Sequence, residues 1–97
     1  MAYLKKIDGK LHVVSENADG GETLYPVLAG WESFSGWYWF SLEIAEQDDS
    51  DKIHFGLVQG QDQELGYFSQ KELESMPNKI WRIKQHDLPY AGRRRRA

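Results

Sequence analysis

Short apolar runs separated by polar breakers dominate the chain, and the hydrophobic period changes once. Residues 11–14 are a brief apolar run after an Asp8-Gly9 turn signal. Asp19-Gly20-Gly21 is a second breaker, followed by residues 23–28, which are β-branched and aromatic but interrupted by Pro26. Proline cannot donate to a ladder, so that piece is an edge strand or no strand. Residues 36–45, GWYWFSLEIA, read as a strand rich in side chains that fit a pleated surface. Residues 53–59 and 65–68 follow as further strands, separated by the polar turns 47–51 and 60–63. Strands this close, joined by so few polar residues, predict an antiparallel meander.

At Ser69 the pattern becomes helical. Ser69-Gln70-Lys71-Glu72 matches a capping box, and Phe68 stands at staple spacing from Leu73. Pro77 must stop the helix soon after Met76, which leaves about two turns. Residues 80–84 predict a final strand with Trp81 and Ile83 opposite to Arg82. The expected fold class is therefore α+β: one antiparallel sheet of about five strands in a meander, with one short helix. The expected organisation is a single domain over residues 1–92 and a disordered basic tail over residues 93–97.

Alternation places Trp37 and Trp39 on one face of the aromatic strand, and Tyr38, Phe40, Leu42 and Ile44 on the other. Both faces are apolar at one end, and a single short helix cannot cover both. Either the N-terminal third folds over the second face, or aromatic surface stays open for a partner. Four Trp, five Tyr and four Phe in 97 residues make that question central.

Charge separates the chain into two parts. The formal net charge is −3, but Arg93, Arg94, Arg95 and Arg96 stand together. Without them, 8 basic residues face 15 acidic ones, so the body carries −7. An acidic body repels nucleic acid. It suits a protein partner whose basic surface accepts negative arrays. The candidate binding residues are Trp37, Trp39, Glu43, Asp48, Asp49, Asp51, Asp62 and Glu64. A nucleic-acid reading would use the sheet aromatics together with Arg93, Arg94, Arg95 and Arg96.

Chemistry beyond binding has little support in the residues. The absence of cysteine excludes disulfides, thiolate metal sites and cysteine nucleophiles. Asp48-Asp49-Ser50-Asp51 lacks the glycine and closing glutamate of an EF-hand loop. His12, His54 and His86 have no ligand-like spacing, and His86-Asp87 is the one pair that invites acid–base chemistry. No catalytic residue, metal or cofactor is expected. The start has no apolar signal region and no run approaches the ~20 residues of a membrane helix, so a cytoplasmic protein that binds no membrane is expected.

A longer pattern adds a resemblance. Residues 55–60 (FGLVQG), 64–69 (ELGYFS) and 72–74 (ELE) resemble the signature block of the family called domain of unknown function 2958. Trp37-Tyr38-Trp39-Phe40 matches that family's aromatic strand, and Gln85-His86-Asp87-Leu88 stands at its last element. The resemblance spans residues 36–88; before residue 30 it fails, and His86 replaces a usual arginine. Such proteins are similar to small accessory proteins of bacterial mobile genetic elements and phages. The resemblance implies a counter-defence role, an anti-CRISPR-like inhibitor that binds a host nuclease or CRISPR effector.

Overall fold

The computed structural model describes residues 1–94. Eight strands are seen among them: β1 Ala2–Ile7, β2 Lys10–Glu16, β3 Glu22–Pro26, β4 Ala29–Ser33, β5 Tyr38–Gln47, β6 Lys52–Gln59, β7 Gln63–Ser69 and β8 Ile80–Arg82. Helix α1 spans Gln70–Glu74, and a 3-10 turn spans Leu88–Tyr90. All strand pairs are antiparallel and form two sheets, ordered β1-β2-β3 and β7-β6-β5-β4-β8.

The five-stranded sheet and single short helix match the expected class, but one sheet for the whole chain does not. The N-terminal third makes a sheet of its own, and 54% of the described residues are strand. Its first hairpin turns at Asp8-Gly9, both with positive φ (51° and 78°), the geometry that suits the right-handed twist of two flanking strands. Pro26 ends β3 at the edge of the small sheet, where a missing N–H costs nothing.

The two sheets bury a common core. Leu4, Leu11 and Val13 of the small sheet meet Phe40 and Leu57 of the large one, with Ile83 and Leu88 closing one side. The Phe40 face of β5 is thus covered by the N-terminal sheet. Gly30 lets the 3-10 turn come close: a Cβ there would stand 2.8 Å from Leu88 and 3.2 Å from Ile83.

The outer face of the large sheet carries a second cluster. Trp31 is fully buried there among Ala29, Phe68, Leu73 and Ile80, with Trp39 and Val58 at its margin. Ser69 caps α1 by accepting from the Glu72 N–H at 3.1 Å, and Phe68 and Leu73 share the cluster as the staple spacing requires. The helix spans five residues rather than two turns. It covers the Trp31 half of the outer face and leaves the Trp37 half open.

Two irregularities correct the expected alternation. Register shifts between Ser41 and Glu43 and between Ile44 and Glu46 bulge β5 against β6. Glu43 therefore pairs with Phe55, and Ile44 with His54. Directly paired residues share a face, so Ile44 lies on the His54 side and not with Phe40.

Candidate functional site

The acidic residues singled out by composition do not form one surface. Asp48, Asp49 and Asp51 lie in the β5–β6 turn, whereas Asp62 and Glu64 lie at the β6–β7 end. The eight residues of β6 separate the two groups by roughly 25 Å. Glu43 pairs with Phe55, whose side chain alternates away from Val58, so it faces away from Trp39.

Two of the turn carboxylates are committed to the fold. Asp48 Oδ1 accepts from the Ser50 hydroxyl at 2.7 Å and from the backbone N–H of Ser50 and Asp51 at 2.8 and 3.0 Å. Asp51 accepts from the Ser69 hydroxyl and, through Oδ1, from the N–H of Lys71 at 2.9 Å and of Lys52 at 2.7 Å. Asp51 therefore ties the turn to the first turn of α1. The Ser69 hydroxyl chiefly holds the Asp51 carboxyl below the usual carboxylate range, helped by the Lys71 N–H. Asp48 is lowered by its bonds to Ser50 and then Asp51.

A lowered folded-state pKa gives stability that is present above the unfolded value of about 3.9 and is lost as pH falls through the folded one. Asp51→Ala should lower the urea midpoint at neutral pH. The gap between variant and wild type should hold from pH 7 down to 5 and narrow below about pH 4. Urea titrations across that range test this; a gap independent of pH would remove the carboxylate from the cap.

Behind α1 runs a chain of hydrogen bonds that starts in the core and ends at the surface. The His54 ring packs edge-on to Trp31 at 5.1 Å and stacks on Phe68 at 5.3 Å. Gln70 Oε1 can only accept, so His54 Nε2 donates to it at 2.8 Å. Nδ1 is then the acceptor for the Ser41 hydroxyl at 2.7 Å. Gln70 Nε2 donates to Glu74 Oε1 at 3.2 Å, and Trp31 Nε1 donates to Glu74 Oε2 at 3.2 Å. Every donor points toward the Glu74 carboxylate, so the bonds polarise one another. Ser41 is fully buried, so this serine–histidine pair meets no solvent.

The pair His86–Asp87 is elsewhere, at 3.5 Å and largely exposed, in the turn before Leu88. Among the described residues no three His, Asp or Glu side chains gather to hold a metal ion.

Trp37, Asp62 and Glu64 are brought together. They line a groove of about 340 Å³ with Val58, Gly60, Gln61, Leu65 and Gly66. The row Trp39–Val58–Glu64 runs straight across three strands. Trp37 is 39% exposed, and its ring centroid stands 6.0 Å from that of Trp39. Gly60 makes room for it: a Cβ there would stand 2.5 Å from the indole. Sequence reading named the tryptophans and carboxylates but missed Val58, Gly60 and Gly66, whose signal was their position opposite those residues in the meander.

Arginines expected in a tail partly belong to the fold. Gln59, fully buried, pairs with the backbone of Arg93 in two bonds of 2.7 Å, one in each direction. The Arg93 guanidinium donates to the Gly60 carbonyl, and Arg94 Nη2 donates to the Pro89 carbonyl at 2.7 Å. Arg93 and Arg94 are thus anchored rather than loose, and Arg95, Arg96 and Ala97 lie outside the described residues. Gly92, at φ 83°, allows the approach to Leu4 and Phe40.

No family model, curated protein or solved structure matches the chain. Among the described residues no helix is long and apolar enough to cross a membrane.

Proposed function

We propose that the chain is a non-enzymatic binding module whose open outer face holds a protein partner with a basic surface. One observation carries the reading. Among the described residues that line it, the Trp37 groove has two carboxylates, Asp62 and Glu64, and no cation. Half-exposed aromatic side chains in a water-excluding setting supply most of the affinity at protein interfaces. Unbalanced rim charge steers the partner.

The partner class proposed is a nucleic-acid-processing enzyme, because its phosphate-binding surface is basic and accepts a carboxylate array. The narrower counter-defence role, inhibition of a host nuclease or CRISPR effector, rests on the FGLV and ELGYFS blocks alone. A single-stranded nucleic acid would need a basic wall beside the rings, and none of the described residues lining the groove is basic.

Affinity capture from bacterial lysate, run in parallel with wild type, Trp37→Ala and Glu64→Gln as bait, tests the proposal. A specific partner should be retained by wild type at low salt and released as salt rises. Retention should fall at least about ten-fold with Trp37→Ala, while the variant's stability changes by about 1 kcal/mol or less. Capture insensitive to both substitutions, or a mobility shift of single-stranded DNA at low salt, would overturn it.

A further inference from the structure

Resting on that reading, we infer that the groove receives an arginine side chain, presented on an extended basic segment of the partner. Three features of the groove select it. Trp37 offers the wall: its ring is seated on the Gly60 backbone and backed by Trp39, so an indole face is held in place. A planar guanidinium stacks on such a face, whereas a compact, strongly hydrated ammonium gains less.

The rim offers the counter-charge. Most carboxylates near α1 and the β4–β8 pairing are already engaged: Asp51 on Ser69 and Lys71, Glu74 on Trp31 and Gln70, and Glu32 on Trp81 at 2.9 Å. Asp62 and Glu64 have no side-chain hydrogen bond or ion pair among the described residues. Two unpaired carboxylates beside an aromatic wall match the forked donors of a guanidinium.

The floor fits the aliphatic stem. Val58 is apolar, and a Cβ at Gly66 would meet nothing within 4 Å, so the space above β7 is open. At about 340 Å³ the groove is at the small end of ligand sites, roughly 300–1,000 Å³, which suits one side chain and its flanking backbone.

A competing occupant is close by. The Arg93 guanidinium sits on Gly60, and a neighbouring cavity lined by Met1, Tyr3, Gln63, Arg93 and Arg94 shares Gln61 and Asp62 with the groove. The test therefore includes a chain carrying Arg95→Ser and Arg96→Ser.

The probes are two blocked peptides, Gly-Arg-Gly-Arg-Gly and Gly-Lys-Gly-Lys-Gly, titrated calorimetrically into the full chain at low ionic strength. The arginine peptide should bind roughly three- to ten-fold tighter than the lysine peptide. Trp37→Ala should abolish that preference, and Glu64→Gln should weaken arginine binding several-fold, with both variants melting close to wild type. Equal binding of the two peptides would overturn the arginine inference and leave the basic-partner reading standing. No binding of either peptide to either chain would overturn both. Arginine binding that emerges only after Arg95→Ser and Arg96→Ser would assign the groove to the chain's own arginine run and overturn the partner segment.

Discussion

Gly56→Ala should be strongly destabilising. An alanine Cβ at this position would stand 1.7 Å from the Phe40 carbonyl oxygen, 2.8 Å from its carbon and 3.1 Å from Ser41 Cα. All three atoms are backbone, so no rotamer change relieves the collision. Relief requires lifting β5 from β6 beside its bulge, where Phe40 and Leu57 meet in the core. The cost should be about 4 kcal/mol or more, against the roughly 5–15 kcal/mol that holds a small domain together. Gly66→Ala is the control. Gly66 pairs directly with Gly56, but its Cβ would meet nothing within 4 Å, so the variant should stay within about 1 kcal/mol of wild type. Far-UV circular dichroism with urea titration decides. A folded Gly56→Ala protein melting within a few degrees of wild type would contradict the close seating of β5 on β6.

The second large effect is expected at His54. His54→Leu should cost about 3 kcal/mol, because it removes the short bonds to the Ser41 hydroxyl and Gln70 Oε1 and the ring contacts with Trp31 and Phe68. Ser41 is fully buried, so its hydroxyl keeps only the long bond to the Glu43 carbonyl at 3.4 Å. Adding Ser41→Ala should therefore recover about 1 kcal/mol, since the poorly bonded hydroxyl disappears with it. Urea unfolding of the two single variants and the double variant closes this cycle. A double variant whose loss equals the sum of the single losses would mean that the two side chains do not act together.

The same residues explain what could be read in advance. The meander β5–β7 was legible because its strands carry apolar side chains on both faces and are joined by short polar turns. The helix start was legible because Ser69 and Phe68 announce it with caps whose geometry is local. β1 escaped because Lys5, Lys6 and exposed neighbours interrupt it, leaving Ala2 and Leu4 as its buried positions. β4 escaped because Gly30 weakens its signal, although that glycine is what admits Leu88 and Ile83. The division into two sheets depends on how Val27 and Leu28 cross from one to the other, which no local pattern states.

Half of the candidate site was legible on the same grounds. Alternation put Trp37 and Trp39 on one face, but Asp62 and Glu64 entered the binding set by charge alone, and it is the β6–β7 pairing that brings them to Trp37. Asp48 and Asp51 joined the binding set only because net charge counts carboxylates without asking what they hold. Both are occupied by backbone and hydroxyl donors of their own turn and helix. Replacing all three turn aspartates would thus disturb the helix cap and report on folding. On the proposed function, Asp62 and Glu64 are the carboxylates whose substitution reports on binding.

On the proposed function, the Trp37 half of the outer face is the recognition surface, while the Trp31 half is structural. A two-dimensional nitrogen–proton spectrum resolves the four tryptophan indole N–H groups in one experiment, with the arginine peptide added stepwise at low ionic strength. The Trp37 indole and the amides of Gly60, Glu64 and Gly66 should move together and saturate, while the Trp31 indole and the amides of Asp48 and Asp51 stay in place. Movement centred on Asp48 and Asp51 with Trp37 unmoved would contradict it.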